Sequence, residues 1–194
     1  WPDKSVVLTF DDGYANVHEH ALPVLLRYGF SATVFVIVEH LDGINNWGKP
    51  VRGLGCQTML SWNQVKDLAD HGVEIGAHTL SHHDLSSLDP EAIEREIVGS
   101  VEEINSQLSE PVETFAYPFG SFSDEVVAIV GRTFRAACTT VHRRASDEPL
   151  MLLPRIEMYY FRNRRDLQPL ISGQLDSTLA LRRWARSVRC FLPF

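Results

Sequence analysis

"VVLTFDDGY", residues 6–14, runs from a β-branched apolar segment straight into two adjacent carboxylates and a glycine. Such a run reads as a buried strand, here over residues 6–10. Asp11 and Asp12 then stand at its carboxyl end. Carboxylates that close raise each other's pKa and cost free energy unless something cationic or protic compensates them. Either Gly13 closes a solvated turn around the pair, or the pair belongs to a site.

Outward from this stretch, short apolar runs alternate with helical patterns. Residues 18–28 read as a helix stopped by Gly29, a C-cap signal. Residues 32–38 read as the second strand, and 42–60 as a Gly- and Asn-rich loop. Ser61 opens a helix with Gln64 three positions on, the capping-box spacing, and Gly72 ends it. The third strand covers 73–77. Asp89-Pro90 starts the next helix, an N-cap followed by proline at the first helical position. The pattern then predicts strands over 114–117, 134–139 and 151–156, with a helix over 124–132. Strands alternating with helices imply βα units and a mainly parallel sheet. Six strands in 194 residues fit an α/β fold of the small or incomplete (β/α)-barrel type, with an open doubly wound sheet as the alternative. In either, functional groups collect at the carboxyl ends of strands. Asp11-Asp12, His78, Pro118 and Thr139-Thr140 each follow a predicted strand, so they are expected on one face.

Bulk properties narrow the function classes. The chain is 44% hydrophobic, enough for one sizeable core. A net charge of −7 argues against general nucleic-acid binding. The charge is uneven: residues 162–194 carry seven arginines against two aspartates, a net of +5, leaving −12 on residues 1–161. These two stretches are read as one globular domain, residues 1–161, and a basic C-terminal extension, residues 162–194, the latter expected to pack on the barrel as a helix. Its "LALRRWARSVRCFLPF" segment could alternatively lie on an anionic membrane surface, the less favoured reading. Cys56, Cys138 and Cys190 are odd in number and widely spaced, unlike a disulfide framework. They lean slightly toward a reducing, cytoplasmic setting. No run reaches transmembrane length and no leader pattern opens the chain, which starts at Trp1, so upstream residues are expected to be missing.

The second informative stretch is "EIGAHTLSHHDL", residues 74–85. His78 and His82 stand at i, i+4, so a helical turn after the strand would point both imidazoles one way. Two histidines and one carboxylate make a three-ligand metal site with open positions. One aspartate would coordinate the cation, which offsets the repulsion from its neighbour. That neighbour would then act as general base on a metal-bound water.

"TFDDGY", "HTLSH" and "FAYPFG" resemble, in order, the motifs of the polysaccharide deacetylase family (NodB homology, carbohydrate esterase family 4). The resemblance spans about residues 4–160 and includes "ALPVLLRYGFSATVFV" and "LLPRI". It implies a deformed (β/α) barrel and metal-dependent hydrolysis of an N-acetyl, sometimes O-acetyl, group on a carbohydrate substrate. By position it implies Asp11 as base, and Asp12, His78 and His82 as ligands of a divalent metal, zinc first, with cobalt, nickel or manganese as alternatives. The Phe119 N–H, after Pro118, would hold the oxyanion. Tyr14, Tyr117 and Phe119 would shape the acetyl pocket, with ordinary packing the alternative for the two tyrosines. Trp47 is suited to stacking on a sugar face.

The chain departs from the family at three points. The arginine that usually orients the base is Phe115 here, and Arg155 in "LPRI" is the expected substitute. The family's Asp–Trp motif is missing. So is the late Leu-x-His acid; residues 137–144 read "ACTTVHRR". His142 is a weak candidate for that acid, more in keeping with an exposed loop histidine, and His83 reads as a neighbour of a ligand. Two other readings follow: an O-acetyl esterase, and a carbohydrate-binding module weakened in catalysis.

Overall fold

Every strand pairs in parallel with the next in sequence, and that sequential order decides between the two architectures. In the computed structural model, which describes residues 5–47, 55–161, 163, 167 and 168, the strands are β1 (Thr9–Phe10), β2 (Thr33–Val36), β3 (Glu74–Ala77), β4 (Thr114–Ala116), β5 (Ala136–His142) and β6 (Leu153–Arg155). The sheet order is β1-β2-β3-β4-β5-β6. Parallel crossovers are right-handed. An order that never reverses therefore places all the connecting helices on one side, and the sheet curls toward a barrel. A doubly wound sheet needs a reversal, and none occurs among these strands. The result is a curled half-barrel, a deformed (β/α) barrel.

Helices α1 (Leu22–Tyr28), α2 (Trp62–Asp70), α3 (Pro90–Gln107) and α4 (Asp124–Thr133) fill those crossovers. Their ends follow local chemistry. Ser61 and Gln64 form both bonds of the capping box, and the Asp89 carboxylate accepts the Ala92 N–H ahead of Pro90. Gly29 ends α1 at φ 66°, left-handed as a C-cap requires. α3 buries Ile93, Ile97, Val101 and Ile104 at helical spacing against a core that includes Val34, Val36, Ile75 and Phe115.

Several boundaries differ from the sequence pattern. The first strand is only Thr9–Phe10, with Val6 and Val7 exposed. The helix before α1 begins as a π turn, Val17–Ala21. β5 starts later than expected and runs on through Thr139 and Thr140, so these two lie within a strand rather than after it. His142 is the last residue of β5 and is buried, not an exposed loop histidine. Within the 42–60 segment, Ile44 bridges Thr58 and Tyr14 bridges Met59, both antiparallel. That pairing ties the segment to the chain just after Asp12. Cys56 and Cys138 are free thiols. No helix among the described residues is long and apolar enough to cross a membrane. The expectations placed on the 162–194 extension, and on Cys190 within it, fall outside the described residues, which include only 163, 167 and 168 of that stretch.

Candidate active site

The adjacent aspartates leave β1 in different directions because Asp12 and Gly13 are both left-handed, at φ 71° and 79°. Gly13 tolerates this, and a Cβ there would also stand 3.2 Å from Val36 Cγ1. Asp11 meets Arg155 at the end of β6: Nη1 donates to Oδ1 at 2.6 Å and Nη2 to Oδ2 at 2.7 Å. The same guanidinium donates to Thr9 Oγ1 and, through Nε, to the Thr139 carbonyl, and lies 5.8 Å from the centre of the Phe35 ring. This fork joins the two ends of the curled sheet. Burial pushes the Asp11 pKa up, but the Arg155 hydrogen bonds and the nearby charges of His78, Arg155 and His82 outweigh it and lower it overall. Burial likewise works against the Arg155 charge, and Asp11 more than restores it.

Asp12 turns the other way. Its Oδ1 lies 3.5 Å from Nε2 of both His78 and His82, and those two nitrogens are 3.2 Å apart. A point equidistant from the three atoms lies about 2.0 Å from each, the length of a zinc–nitrogen or zinc–oxygen bond. His78 is oriented for it: Nδ1–H donates to the Ala116 carbonyl at 2.7 Å, leaving Nε2 facing Asp12. Burial and the neighbouring His78 lower the His82 pKa to about 4, against a smaller opposing effect of Asp12, so its ring is neutral at pH 7. Two imidazole nitrogens and a carboxylate oxygen converging on one point fit a divalent cation. Among the described residues no other group of His, Cys, Asp and Glu has this property.

The two histidines converge by a different route from the helical turn that their spacing suggests. Thr79 and His82 are left-handed, at φ 69° and 62°, and Thr79 Oγ1 accepts the His82 N–H. The turn is clamped by Val38 N–H to the Thr79 carbonyl and Glu39 N–H to the Leu80 carbonyl. Ser81 donates both N–H and Oγ–H to the buried Glu96 of α3. Left-handed non-glycine residues persist where surrounding bonds over-determine them.

Phe119 is a further left-handed residue of the site, at φ 58° in the turn Pro118–Gly120. The turn's own bonds use the Gly120 and Ser121 N–H groups, so the Phe119 N–H has no acceptor within it. Its ring is 60% exposed and packs on His82 with centroids 4.6 Å apart. Trp47 meets the His82 ring edge-on at 5.3 Å and packs against the His40 ring, tilted by 45°, at 4.6 Å. His40 carried no signal in the sequence. Together these rings border a cavity of about 450 Å³ beside His82. Tyr14 borders the site through Asp12. Its hydroxyl accepts a bond from Asn45, while burial and the Asp12 carboxylate raise its pKa.

Two expected participants are placed elsewhere. Tyr117 is 1% exposed, packed between Phe115 and Phe122, and its hydroxyl donates to the Met151 carbonyl. Packing is therefore the role its surroundings show. His142 pairs in register with Arg155, but its buried ring sits near Phe161 and its Nδ1 accepts the Glu157 N–H. A proton donor to a substrate needs access to the cavity, and His142 is 2% exposed.

Residues 1–133 match the family model described as polysaccharide deacetylase. This chain belongs to the polysaccharide deacetylase family. It is 30% identical over 158 residues to YxkH of Bacillus subtilis (strain 168), whose name assigns it to the polysaccharide deacetylases, covering 80% of this chain and 52% of that protein. It is 26% identical over 139 residues to a poly-beta-1,6-N-acetyl-D-glucosamine N-deacetylase of Staphylococcus aureus (strain MRSA252), covering 67% of this chain and 45% of that one. The chain thus spans about half the length of these curated relatives. Among solved structures it resembles the Streptococcus pyogenes deacetylase PplD in complex with acetate, with TM-score 0.68 and 28% identity over 80% of this chain and 65% of that one. This membership accords with the Asp12, His78 and His82 group as the metal site of a polysaccharide deacetylase.

Proposed function

We propose that this polysaccharide deacetylase removes N-acetyl groups from an amino-sugar glycan or its precursor, with Asp11 as general base. The observation that carries the reading is the division of the Asp pair. One carboxylate converges with two imidazole nitrogens while the other is held by a bidentate arginine. A site kept only to bind metal has no use for the second. Asp12, His78 and His82 would hold the cation, and their ligand types favour zinc, with cobalt, nickel or manganese as alternatives. Such a cation supplies Lewis-acid activation of water and of the acyl carbonyl.

The chain's own residues do the rest. Arg155 holds Asp11 ionised and fixed, so that it takes the proton of the attacking water. The Phe119 N–H, free of its own turn, donates to the acyl oxygen as negative charge develops there. Trp47 and the exposed Phe119 ring offer faces for a sugar, as aromatic side chains do for apolar ring surfaces. Asp11, once protonated, returns its proton to the leaving amine. The amide substrate is favoured by the likeness to the Staphylococcus aureus N-deacetylase named above.

The test is acetate release by zinc-loaded protein from N-acetylated chitotetraose and from acetyl xylan. Release from the first, with Asp11→Asn retaining zinc but losing turnover and Asp12→Asn losing zinc, is the expected result. Release from acetyl xylan alone would replace the amide reading with an ester one, and loss of zinc in Asp11→Asn would exchange the roles of the two aspartates.

A further inference from the structure

We propose that His83 is a substrate-binding residue whose outer nitrogen, Nε2, is fixed as a hydrogen-bond acceptor in the cleft by Ser81 and the buried Glu96. The proposal rests on the deacetylase reading above and adds a residue to the glycan site.

The side chain of Glu96 is 5% exposed, yet it sits in the apolar stripe of α3. A buried carboxylate is costly unless donors saturate it. Its Oε2 takes the Ser81 N–H at 2.9 Å and its Oε1 takes the Ser81 hydroxyl proton at 2.6 Å. Ser81 Oγ also lies 2.5 Å from His83 Nδ1. A serine hydroxyl has one proton, and here it is given to a carboxylate, which can only accept. Ser81 Oγ must therefore accept from His83, so Nδ1 carries the hydrogen, and in the neutral imidazole Nε2 carries the lone pair. Nothing among the described residues bonds that Nε2.

The His83 side chain is 63% exposed and lines the same cavity as Trp47, Phe119, Glu39, His40 and Asp84. Fixing an exposed ring in one orientation and one tautomer costs conformational entropy and contributes nothing to the core. The Ser81 N–H bond alone would hold the turn. The extension through Oγ to His83 gains its purpose from a ligand: a sugar hydroxyl or the acetamide N–H of a neighbouring unit has the donor that this nitrogen needs. In the sequence His83 is only the neighbour of a ligand, because the link to Glu96 joins residues on separate elements.

The experiment uses the full chain carrying Asp11→Asn, loaded with zinc at pH 8.5, where imidazole is neutral. Calorimetry measures chitotetraose affinity and, separately, zinc affinity. Adding His83→Ala is expected to weaken sugar binding about tenfold, the worth of one well-placed hydrogen bond, with zinc affinity unchanged. His83→Gln, which returns an acceptor near the Nε2 position, is expected to restore most of it. In Glu96→Gln the amide oxygen serves the Ser81 N–H and the amide NH2 faces Ser81 Oγ. The hydroxyl proton then turns to Nδ1, and 15N spectra of His83 should show the hydrogen moved to Nε2. Sugar affinity unchanged in His83→Ala, a parallel loss of zinc, or an Nε2–H tautomer in the parent protein would each overturn the proposal while leaving the deacetylase reading intact. A parent protein that neither binds chitotetraose nor, with Asp11 restored, releases acetate from it would overturn both.

Discussion

Replacing Arg155 by alanine removes two charge-assisted hydrogen bonds of 2.6 and 2.7 Å from Asp11, together with the bonds to Thr9 and Thr139. Breaking a buried ion pair costs about 3–5 kcal/mol, mostly for the charge left behind. The Asp11 side chain is 34% exposed, so water screens the orphaned carboxylate and a loss of about 2 kcal/mol is expected. In a chain of this size that lowers Tm by about 4–8 °C. The folded Asp11 pKa lies below its ordinary 3.8, so the pair's stabilisation is complete above that value. It fades only as pH falls through the lower folded one. At neutral pH the full difference between the two proteins is therefore visible.

The catalytic consequence has the opposite pH signature. Without Arg155, burial dominates and the Asp11 pKa rises, so the acid limb of kcat/KM moves to higher pH. The carboxylate also gains rotamer freedom, for which a fall in kcat of about 100-fold is expected. Arg155→Lys keeps the charge but not the fork, and should fall between. Acetate release from chitotetraose over pH 5–9, with thermal unfolding in parallel, reads both effects. An Arg155→Ala protein that loses stability but keeps turnover within twofold, its acid limb unmoved, would show that the guanidinium only ties β6 to β1.

Metal-free protein should lose stability on mild acidification. The His82 pKa falls from 6.5 to about 4 on folding, so between those values the unfolded chain binds a proton that the folded one refuses. Lowering the pH from 7.5 to 5 should therefore cost about 2 kcal/mol in urea titrations, and His82→Gln should flatten the dependence. Gly120→Ala should cut kcat about 100-fold with zinc retained, because a Cβ there would stand 2.0 Å from Thr140 Oγ1 and must shift the turn that aims the Phe119 N–H. Unchanged kcat in that variant would remove the Phe119 N–H from the mechanism.

Sequence alone determined what is local. The capping box at Ser61 and Gln64, the Asp89-Pro90 start and the Gly29 stop are interactions within a few residues, so the chain displays them directly. The paired aspartates and paired histidines were legible for the same reason: each motif is contiguous, and their donor chemistry names what the other needs. Tertiary structure decided everything that depends on convergence. The Arg155 fork reaches Asp11 across 144 residues because the sheet, built strand by strand without reversal, curls until β6 faces β1. The i, i+4 spacing of His78 and His82 suggested a helix, while left-handed backbone at Thr79 and His82 supplies the actual approach. Tyr117 and His142 carry chemistry that the sequence can name, but burial assigns them to packing. Glu96 is the converse case, a charge within an apolar stripe whose purpose appears only when α3 is laid against the His78–His82 turn. Residue spacing encodes local backbone geometry, whereas the meeting of distant side chains is set by sheet curl and crossover handedness.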